Sequence, residues 1–136
     1  MKIEPYLYYQ GRCDEALEFY TAAIGAKVEM LTRFRDMPGG PPGAGDKVMH
    51  ASVRIGDATL LVSDGQSNGQ PNFKGFALAL SADNDAHAEA MFAALGAGGE
   101  VQMPMSSTPF ASRFGMLNDK FGVQWTVVCD TTAQAA

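Results

Sequence analysis

Two polar residues stand out as candidates for chemistry, His50 and Arg113. His50 opens the strand-like stretch His50 to Ile55, and an imidazole titrates near neutral pH, so it can act as a general base or donate to a substrate carbonyl. The alternative is a histidine that is hydrogen-bonded for structure alone. Arg113 stands beside Phe110 and Phe114 in sequence and can bind a carboxylate or phosphate through two parallel hydrogen bonds. Its alternative role is to reach water or to pair with an aspartate.

Aromatic residues give a second group of candidates. Tyr6, Tyr8, Phe110 and Trp125 can line a pocket for an aromatic or planar ligand, because binding sites for small molecules are mostly apolar. Aromatic residues that alternate along strands are more often part of the core. A core role for these four residues therefore stays open as the alternative to a ligand pocket.

The elements that must position these residues follow from hydrophobic periodicity and turn residues. We predict strands at 3–9, 27–34, 48–55, 58–63, 75–80, 101–105, 113–117 and 123–129, and helices at 14–24 and 83–95. Cys13 or Asp14 is the expected N-cap of the first helix, and Gly25 is its expected stop. Irregular connections are expected at 37–47, 64–74 and 106–109, with a frayed tail at 131–136. The Pro- and Gly-rich segment 37–47 is long for a hairpin, so we hypothesise that it is a lid over a binding site.

The order strand, helix, three strands occurs twice, and matching residues recur at a constant separation. The pairs separated by 73 positions are Phe19 and Phe92, Gly25 and Gly98, Val28 and Val101, and Met30 and Met103. Later in each half the separation is 66, as for Gly56 and Gly122. The sequence therefore predicts an α+β fold of two tandem βαβββ modules, about 3–64 and 74–129, within a single domain spanning 1–130.

Composition excludes several classes of partner. The net charge is −5 and no run of Lys or Arg is present, which argues against nucleic acid and anionic membrane surfaces as partners. No stretch reaches the roughly 18 apolar residues that a membrane span requires. The two cysteines, Cys13 and Cys129, have no metal-site spacing and are expected to be reduced thiols in a cytoplasmic protein.

Three segments together resemble a known family. CDEALEFYTAAIGAKVE (13–29), MHASVRIGDATLLVSD (49–64) and SRFGMLNDKFGVQW (112–125) are similar to the PhnB-like branch of the vicinal oxygen chelate superfamily, which includes glyoxalase I, bleomycin-resistance proteins and extradiol dioxygenases. The resemblance implies paired βαβββ modules whose sheets curve into a cup, and a homodimer with sites near the subunit interface. Some PhnB-like proteins carry a 3-demethylubiquinone methyltransferase label, but the sequence lacks a Gly-rich strand-to-helix turn for a nucleotide-like cofactor.

The resemblance also implies four positions for metal ligands on the inner strands. They fall on Pro5, Leu60, Gly75 and Thr126, and none of these residues is a strong ligand for a divalent cation. We therefore expect no metal and no other cofactor. This argues against the activity of a glyoxalase-like isomerase or a dioxygenase, because both reactions depend on the metal.

These observations favour a PhnB-like protein that binds a small, partly apolar molecule in the cup without a metal. The candidate ligand-binding residues are Tyr6, Tyr8, Phe110, Arg113 and Trp125, with His50 as the candidate catalytic residue. Two alternatives stay open. One is a glyoxalase-, lyase- or dioxygenase-like enzyme that uses His50 and Arg113, and the other is a dimeric domain for protein interaction, which would present an exposed apolar patch.

Overall fold

The structure, a computed structural model, describes residues 1–37, 43–66 and 69–130. The chain separates into two compact units, Met1–Pro71 and Asn72–Ala136. Each unit holds one helix and four strands in the order strand, helix, three strands, so the predicted tandem βαβββ modules are confirmed. Their association in a single domain stays a prediction, and the predicted tail lies outside the described residues, as do residues 38–42 of the predicted 37–47 lid.

The first unit forms a mixed four-stranded sheet, sheet A. Its elements are β1 (Tyr6–Tyr8), α1 (Cys13–Ile24), β2 (Lys27–Arg33), a single 3-10 turn (Phe34–Asp36), β3 (Val48–Ile55) and β4 (Ala58–Ser63). The strand order is β1-β4-β3-β2, with β1 parallel to β4 and the other pairs antiparallel. β1 is shorter than the predicted strand 3–9, because Pro5 has no N–H to donate and Gln10 turns the chain with φ of 51°.

The two ends of α1 are formed differently. Gly25 adopts the left-handed conformation with φ of 69° and its N–H bonds back to Thr21 and Tyr20, so the predicted stop is confirmed. The predicted N-cap is wrong, since Cys13 already belongs to the helix and the capping position is Arg12, whose side chain makes no capping bond. Asp64 accepts from the backbone N–H groups of residues 11 and 13 and so takes the role of the cap from a distant strand end.

The second unit forms a sheet of the same kind, sheet B. Its elements are β5 (Leu78–Ser81), α2 (Asp85–Gly96), β6 (Glu100–Thr108), β7 (Ala111–Asn118) and β8 (Gln124–Asp130), in the strand order β5-β8-β7-β6. β6 continues to Thr108, whereas the sequence predicted a loop from Ser106. The extra residues pair through register shifts, and Pro104 is tolerated because β6 is the outer strand.

Each sheet has one face covered by the helix of its own unit, here called the helix side, and an opposite face called the open side. In sheet A the buried residues of the helix side are Leu7, Ala51, Val53, Leu60 and Val62. In sheet B a Cβ on Gly115 would stand 2.7 Å from Cε2 of Phe92, so α2 packs directly on β7. Alternation then places Tyr6, Tyr8, His50, Ser52 and Leu61 together on the open side of sheet A.

None of the helices within residues 1–37, 43–66 and 69–130 is long and apolar enough to cross a membrane. Cys13 and Cys129 are both buried free thiols, as predicted.

Candidate functional site

The open side of sheet A carries a cluster of three predicted site residues, Tyr6, Tyr8 and His50, here called the aromatic cluster. Tyr6 and Tyr8 alternate on β1, and their rings stack with centroids 5.0 Å apart and planes 12° from parallel. The two residues are 40% and 47% exposed, which is high for large aromatic groups in a sheet. The Tyr6 hydroxyl is hydrogen-bonded to Nδ1 of His50 at 2.6 Å. The structure therefore joins three of the six candidates in one place.

Strand register explains how Tyr6 reaches His50. Tyr6 pairs with Leu61 on β4, and Leu61 pairs with Ser52 on β3. His50 is two residues before Ser52, so it lies on the same face but two strands away from Tyr6. Adjacent strands are about 4.8 Å apart, so about 10 Å separates β1 from β3, a distance that the Tyr6 and His50 side chains span together. The contact thus follows from the βαβββ pairing.

The electrostatic surroundings of Tyr6 keep its hydroxyl protonated. Partial burial raises the pKa of Tyr6 above its ordinary value, and the neighbouring Tyr8 and Cys13 side chains add to this effect. At neutral pH the hydroxyl therefore remains a neutral group that can both donate and accept a hydrogen bond.

Two further residues shape the border of the cluster, and no motif in the sequence pointed to either of them. Gln10 has φ of 51°, and it is the one non-glycine residue with positive φ among the described residues. Its Oε1 atom is buried and has no hydrogen-bond partner within that part of the chain. A Cβ on Gly65 would lie 3.1 Å from both the Gln10 amide nitrogen and the Tyr8 ring, so this glycine lets the two side chains pack closely.

Arg113 does not belong to an open-side site. It is two residues from Gly115 on β7, so it lies on the same helix side of sheet B. Its guanidinium forms ion pairs with two carboxylates of α2, Asp85 at 3.4 Å and Glu89 at 3.0 Å. The structure therefore shows the alternative, pairing with an aspartate, and the role of Arg113 as an anchor for an anion stays a prediction. The ion pairs form because side chains alternate along β7, and Arg113 lies on the face that meets the acidic first turns of α2.

Trp125 is a core residue. It is 2% exposed and its indole Nε1 donates to the carboxylate of Asp119 at 2.9 Å. The same carboxylate accepts from the backbone N–H groups of Phe121 and Val123 and so holds the β7–β8 turn. This burial agrees with the core alternative, and the pocket-lining role of Trp125 stays a prediction.

Phe110 is exposed at the β6–β7 turn, with 62% of its surface accessible, and packs edge-to-face on Phe114 with centroids 5.3 Å apart. It belongs to the second unit, so it is described apart from the aromatic cluster. The second unit also has an open depression of about 470 Å³ between 98–100 and 118–122. Its lining residues lie at two turns and the adjoining strand ends and include none of the predicted site residues.

The residues that occupy open-side positions do not fit a divalent metal. Strand pairing places Leu61 opposite Tyr6 on sheet A and Thr126 opposite Ala79 on sheet B. Leu60, predicted at such a position, is instead buried on the helix side at 4% exposure. Pro5 and Gly75 precede β1 and β5 and belong to no strand. Within residues 1–37, 43–66 and 69–130 no three His, Cys, Asp or Glu side chains come close enough to hold an ion.

Comparison with known proteins identifies the family. Residues 1–128 match the family model described as 3-demethylubiquinone-9 3-methyltransferase. The chain belongs to this family. It is similar to the solved structure of protein PA1353 from Pseudomonas aeruginosa, with 40% identity, a TM-score of 0.85 and coverage of 96% of this chain and 98% of the other. The PhnB protein from Bacillus cereus is 28% identical, with a TM-score of 0.80 and coverage of 95% and 99%.

Among curated proteins, YjdN from Escherichia coli strain K12 is 29% identical over 138 residues, which covers 93% of this chain and 94% of YjdN. The fold is that of the glyoxalase and bleomycin-resistance proteins, as a domain from Frankia sp. EAN1pec illustrates with a TM-score of 0.62 at 17% identity. The chain is thus a PhnB-like member of the vicinal oxygen chelate superfamily with an α+β fold, and the sequence-based assignment is confirmed.

Proposed function

We propose that this PhnB-like protein binds a small, planar, partly apolar molecule on the aromatic cluster without a metal ion. The observation that carries the proposal is the exposed, stacked pair of Tyr6 and Tyr8 with His50 bonded at its edge. Stacked aromatic rings offer a flat apolar surface, and His50 adds a polar group that orients a ligand. Since no three His, Cys, Asp or Glu side chains of the described residues come close enough to hold an ion, recognition would depend on shape, stacking and hydrogen bonds.

The enzyme alternative has less support. It assigned anion binding to Arg113, but that guanidinium is engaged by Asp85 and Glu89 on the helix side of sheet B. His50 would then have to act without that anchor. The family name refers to methyl transfer, yet neither strand-to-helix turn, 9–12 nor 82–84, has the Gly-rich pattern that cradles a nucleotide-like cofactor.

The proposal is tested by titrating a two-ring aromatic ketone, 2-acetylnaphthalene, into the full chain and following backbone amide shifts by NMR. Shifts are expected at 6–8, 50–52 and 61. Tyr8→Ala should raise Kd about two- to tenfold, because an aromatic pair contributes about 0.5–1.5 kcal/mol beyond area burial.

Phe110→Ala is the matched control, since it removes a comparably exposed aromatic ring from the second unit. It should leave Kd unchanged. Shifts confined to 98–100 and 118–122, or equal effects of both variants, would contradict the proposal.

We also propose a second copy of the chain as partner. The outer strands β2 and β6 each leave a Val and a Met more than 40% exposed, namely Val28, Met30, Val101 and Met103. Exposed apolar outer strands are ready sites for association, which supports a homodimer. Sedimentation velocity should give twice the 14.4 kDa chain mass, and Met30→Lys with Met103→Lys should shift the species toward monomer.

The two buried free thiols support a cytoplasmic location for this binding activity, because disulfides are uncommon in the reducing cytosol. Fractionation of cells that express the tagged chain would test this.

A further inference from the structure

We infer that Tyr6 is a positioning residue that holds His50 in a single tautomer, so that the site recognises a hydrogen-bond acceptor on its ligand through Nε2–H. The inference rests on the proposed binding function for its ligand part. Its tautomer part concerns the ligand-free protein and can be tested without any ligand. It decides between the two functional roles that the sequence left open for His50, general base or donor to a carbonyl.

The Tyr6–His50 hydrogen bond has a preferred direction. The Oη to Nδ1 distance of 2.6 Å is short, which indicates a strong bond. A phenol ionises near pH 10, whereas a neutral imidazole N–H does not ionise in water's ordinary range. An unprotonated imidazole nitrogen is also a far better acceptor than a phenol oxygen. The stronger arrangement is therefore Tyr6 O–H donating to Nδ1.

The direction of this bond decides which nitrogen of the His50 ring carries the proton. A neutral imidazole carries one proton, and when Nδ1 accepts a hydrogen bond that proton is on Nε2. The Nε2 of His50 has no hydrogen-bond partner in the described ranges 1–37, 43–66 and 69–130. His50 thus presents an unused donor beside two exposed aromatic rings. An Nε2 that already carries a proton cannot accept one, so His50 is a donor and not a general base in this arrangement.

The ligand class follows from these groups together. A planar apolar ring system can stack on Tyr6 and Tyr8, and an oxygen acceptor in or near its plane can receive the Nε2–H bond. Aryl ketones, quinones and aromatic carboxylates share this chemistry. Planar compounds whose only polar group is a donor, such as aryl ammonium ions, would place two donors face to face and should be rejected.

The tautomer is measured directly by nitrogen-15 NMR of the ligand-free protein, at a pH on the neutral side of the His50 titration read from the same spectra. His50 should show an unprotonated Nδ1 and a protonated Nε2. Tyr6→Phe should shift this toward a mixture of tautomers. His87 is an internal control, because its Nδ1 accepts from the backbone N–H of Asp83 in the other unit, so Tyr6→Phe should leave its spectrum unchanged. A protonated Nδ1 in the wild type, or no change in Tyr6→Phe, would overturn the inference.

The ligand class is measured with two probes of the same shape, 2-acetylnaphthalene and 2-isopropenylnaphthalene, which differ by a carbonyl oxygen in place of a methylene group. The ketone should bind about two- to tenfold more tightly, the range expected for one neutral hydrogen bond. His50→Phe should abolish the preference, and His50→Gln, which keeps an N–H donor, should restore part of it.

The outcomes of the probe experiment separate the two proposals. Equal affinities of the two probes for the wild type would refute the inference while leaving the binding function intact. Binding of neither probe would refute the proposed function, and the tautomer measurement would still judge the role of Tyr6.

Discussion

Replacing Asp64 with Asn is expected to destabilise the unit that carries the aromatic cluster. Asp64 is fully buried at the end of β4, and its carboxylate accepts three backbone hydrogen bonds at 2.8 Å, from Gly11, Cys13 and Val48. These bonds join the end of β4 to the start of α1 and the start of β3. The carboxylate therefore satisfies three backbone donors at the starts of two elements, α1 and β3.

The magnitude follows from those bonds. In Asp64→Asn, one side-chain oxygen can keep the bonds to Gly11 and Cys13, but an NH₂ group then faces the N–H of Val48. A hydrogen bond to a charged group contributes about 1.5–3 kcal/mol, and a buried donor left unpaired costs a similar amount. We expect a loss of about 2–4 kcal/mol, a large part of the 5–15 kcal/mol that typical domains possess.

The assay is urea unfolding of the full chain followed by circular dichroism, with amide hydrogen exchange to locate the effect. Exchange should accelerate first at residues 11–16 and 48, next to the lost bonds. Asp57→Asn is the control, because Asp57 is exposed in the β3–β4 turn. If Asp64→Asn unfolds within 0.5 kcal/mol of the wild type, on the order of a surface substitution, the capping role is refuted.

Four other outcomes are expected. Burial, followed by the charges of Asp64 and Asp14, raises the pKa of the Cys13 thiol, so its stabilising contribution is complete below about pH 8.5 and declines as pH rises, by up to about 1.4 kcal/mol per pH unit. Between pH 8.5 and 10 the free energy of urea unfolding should therefore decline less in Cys13→Ala than in the wild type, and equal declines would contradict this. Gly99→Ala should cost more than about 3 kcal/mol, beyond ordinary overpacking, because its Cβ would meet the backbone carbonyl oxygen of residue 118; Gly115→Ala, whose closest contacts are side chains, should cost less in the same thermal or urea assay. Trp125→Phe removes the indole donor to a buried carboxylate and should cost about 1.5–3 kcal/mol by urea unfolding. Dialysis against Ni²⁺, Zn²⁺, Mn²⁺ or Fe²⁺ should leave less than stoichiometric metal and an unchanged unfolding midpoint, since an ion at 100 times its Kd would add about 2.7 kcal/mol.

The order of the helices and strands could be predicted from the sequence better than the face of the sheet on which each side chain lies. The tandem modules, the Gly25 stop and the β3–β4 hairpin were all predicted because each depends on local periodicity or turn residues. β6 was cut short because Pro104 and the following Ser and Thr residues are typical of loops. An outer strand needs hydrogen bonds along one edge alone and tolerates register shifts, and neither property is visible in a single strand's sequence.

The candidate site was predicted less well, because a register error of one residue moves a side chain to the other face of a sheet. The separation of 66 in the predicted repeat paired Leu60 with Thr126. The buried residues show a separation of 65 instead, since Leu60 and Val62 on β4 correspond to Trp125 and Val127 on β8. Nor does composition show which face of β7 meets α2, so the ion pairs of Arg113 with α2 could not be predicted from the sequence.

Once the register is corrected, the two modules differ sharply in what they present on their open sides. The pairs Tyr6–Leu61 and Ala79–Thr126 occupy corresponding places in sheets A and B. On β3, Ser52 pairs with Leu61, and His50 lies two residues before Ser52. On β7, Met116 pairs with Thr126, and Phe114 lies two residues before Met116. The first unit therefore has a phenol and an imidazole where the second has a methyl group and a phenyl ring. A duplicated fold can hold a symmetric site only when both copies supply matching ligands, and these do not. Recognition through one set of aromatic and hydrogen-bonding groups, on the first unit, is the chemistry that this asymmetry supports.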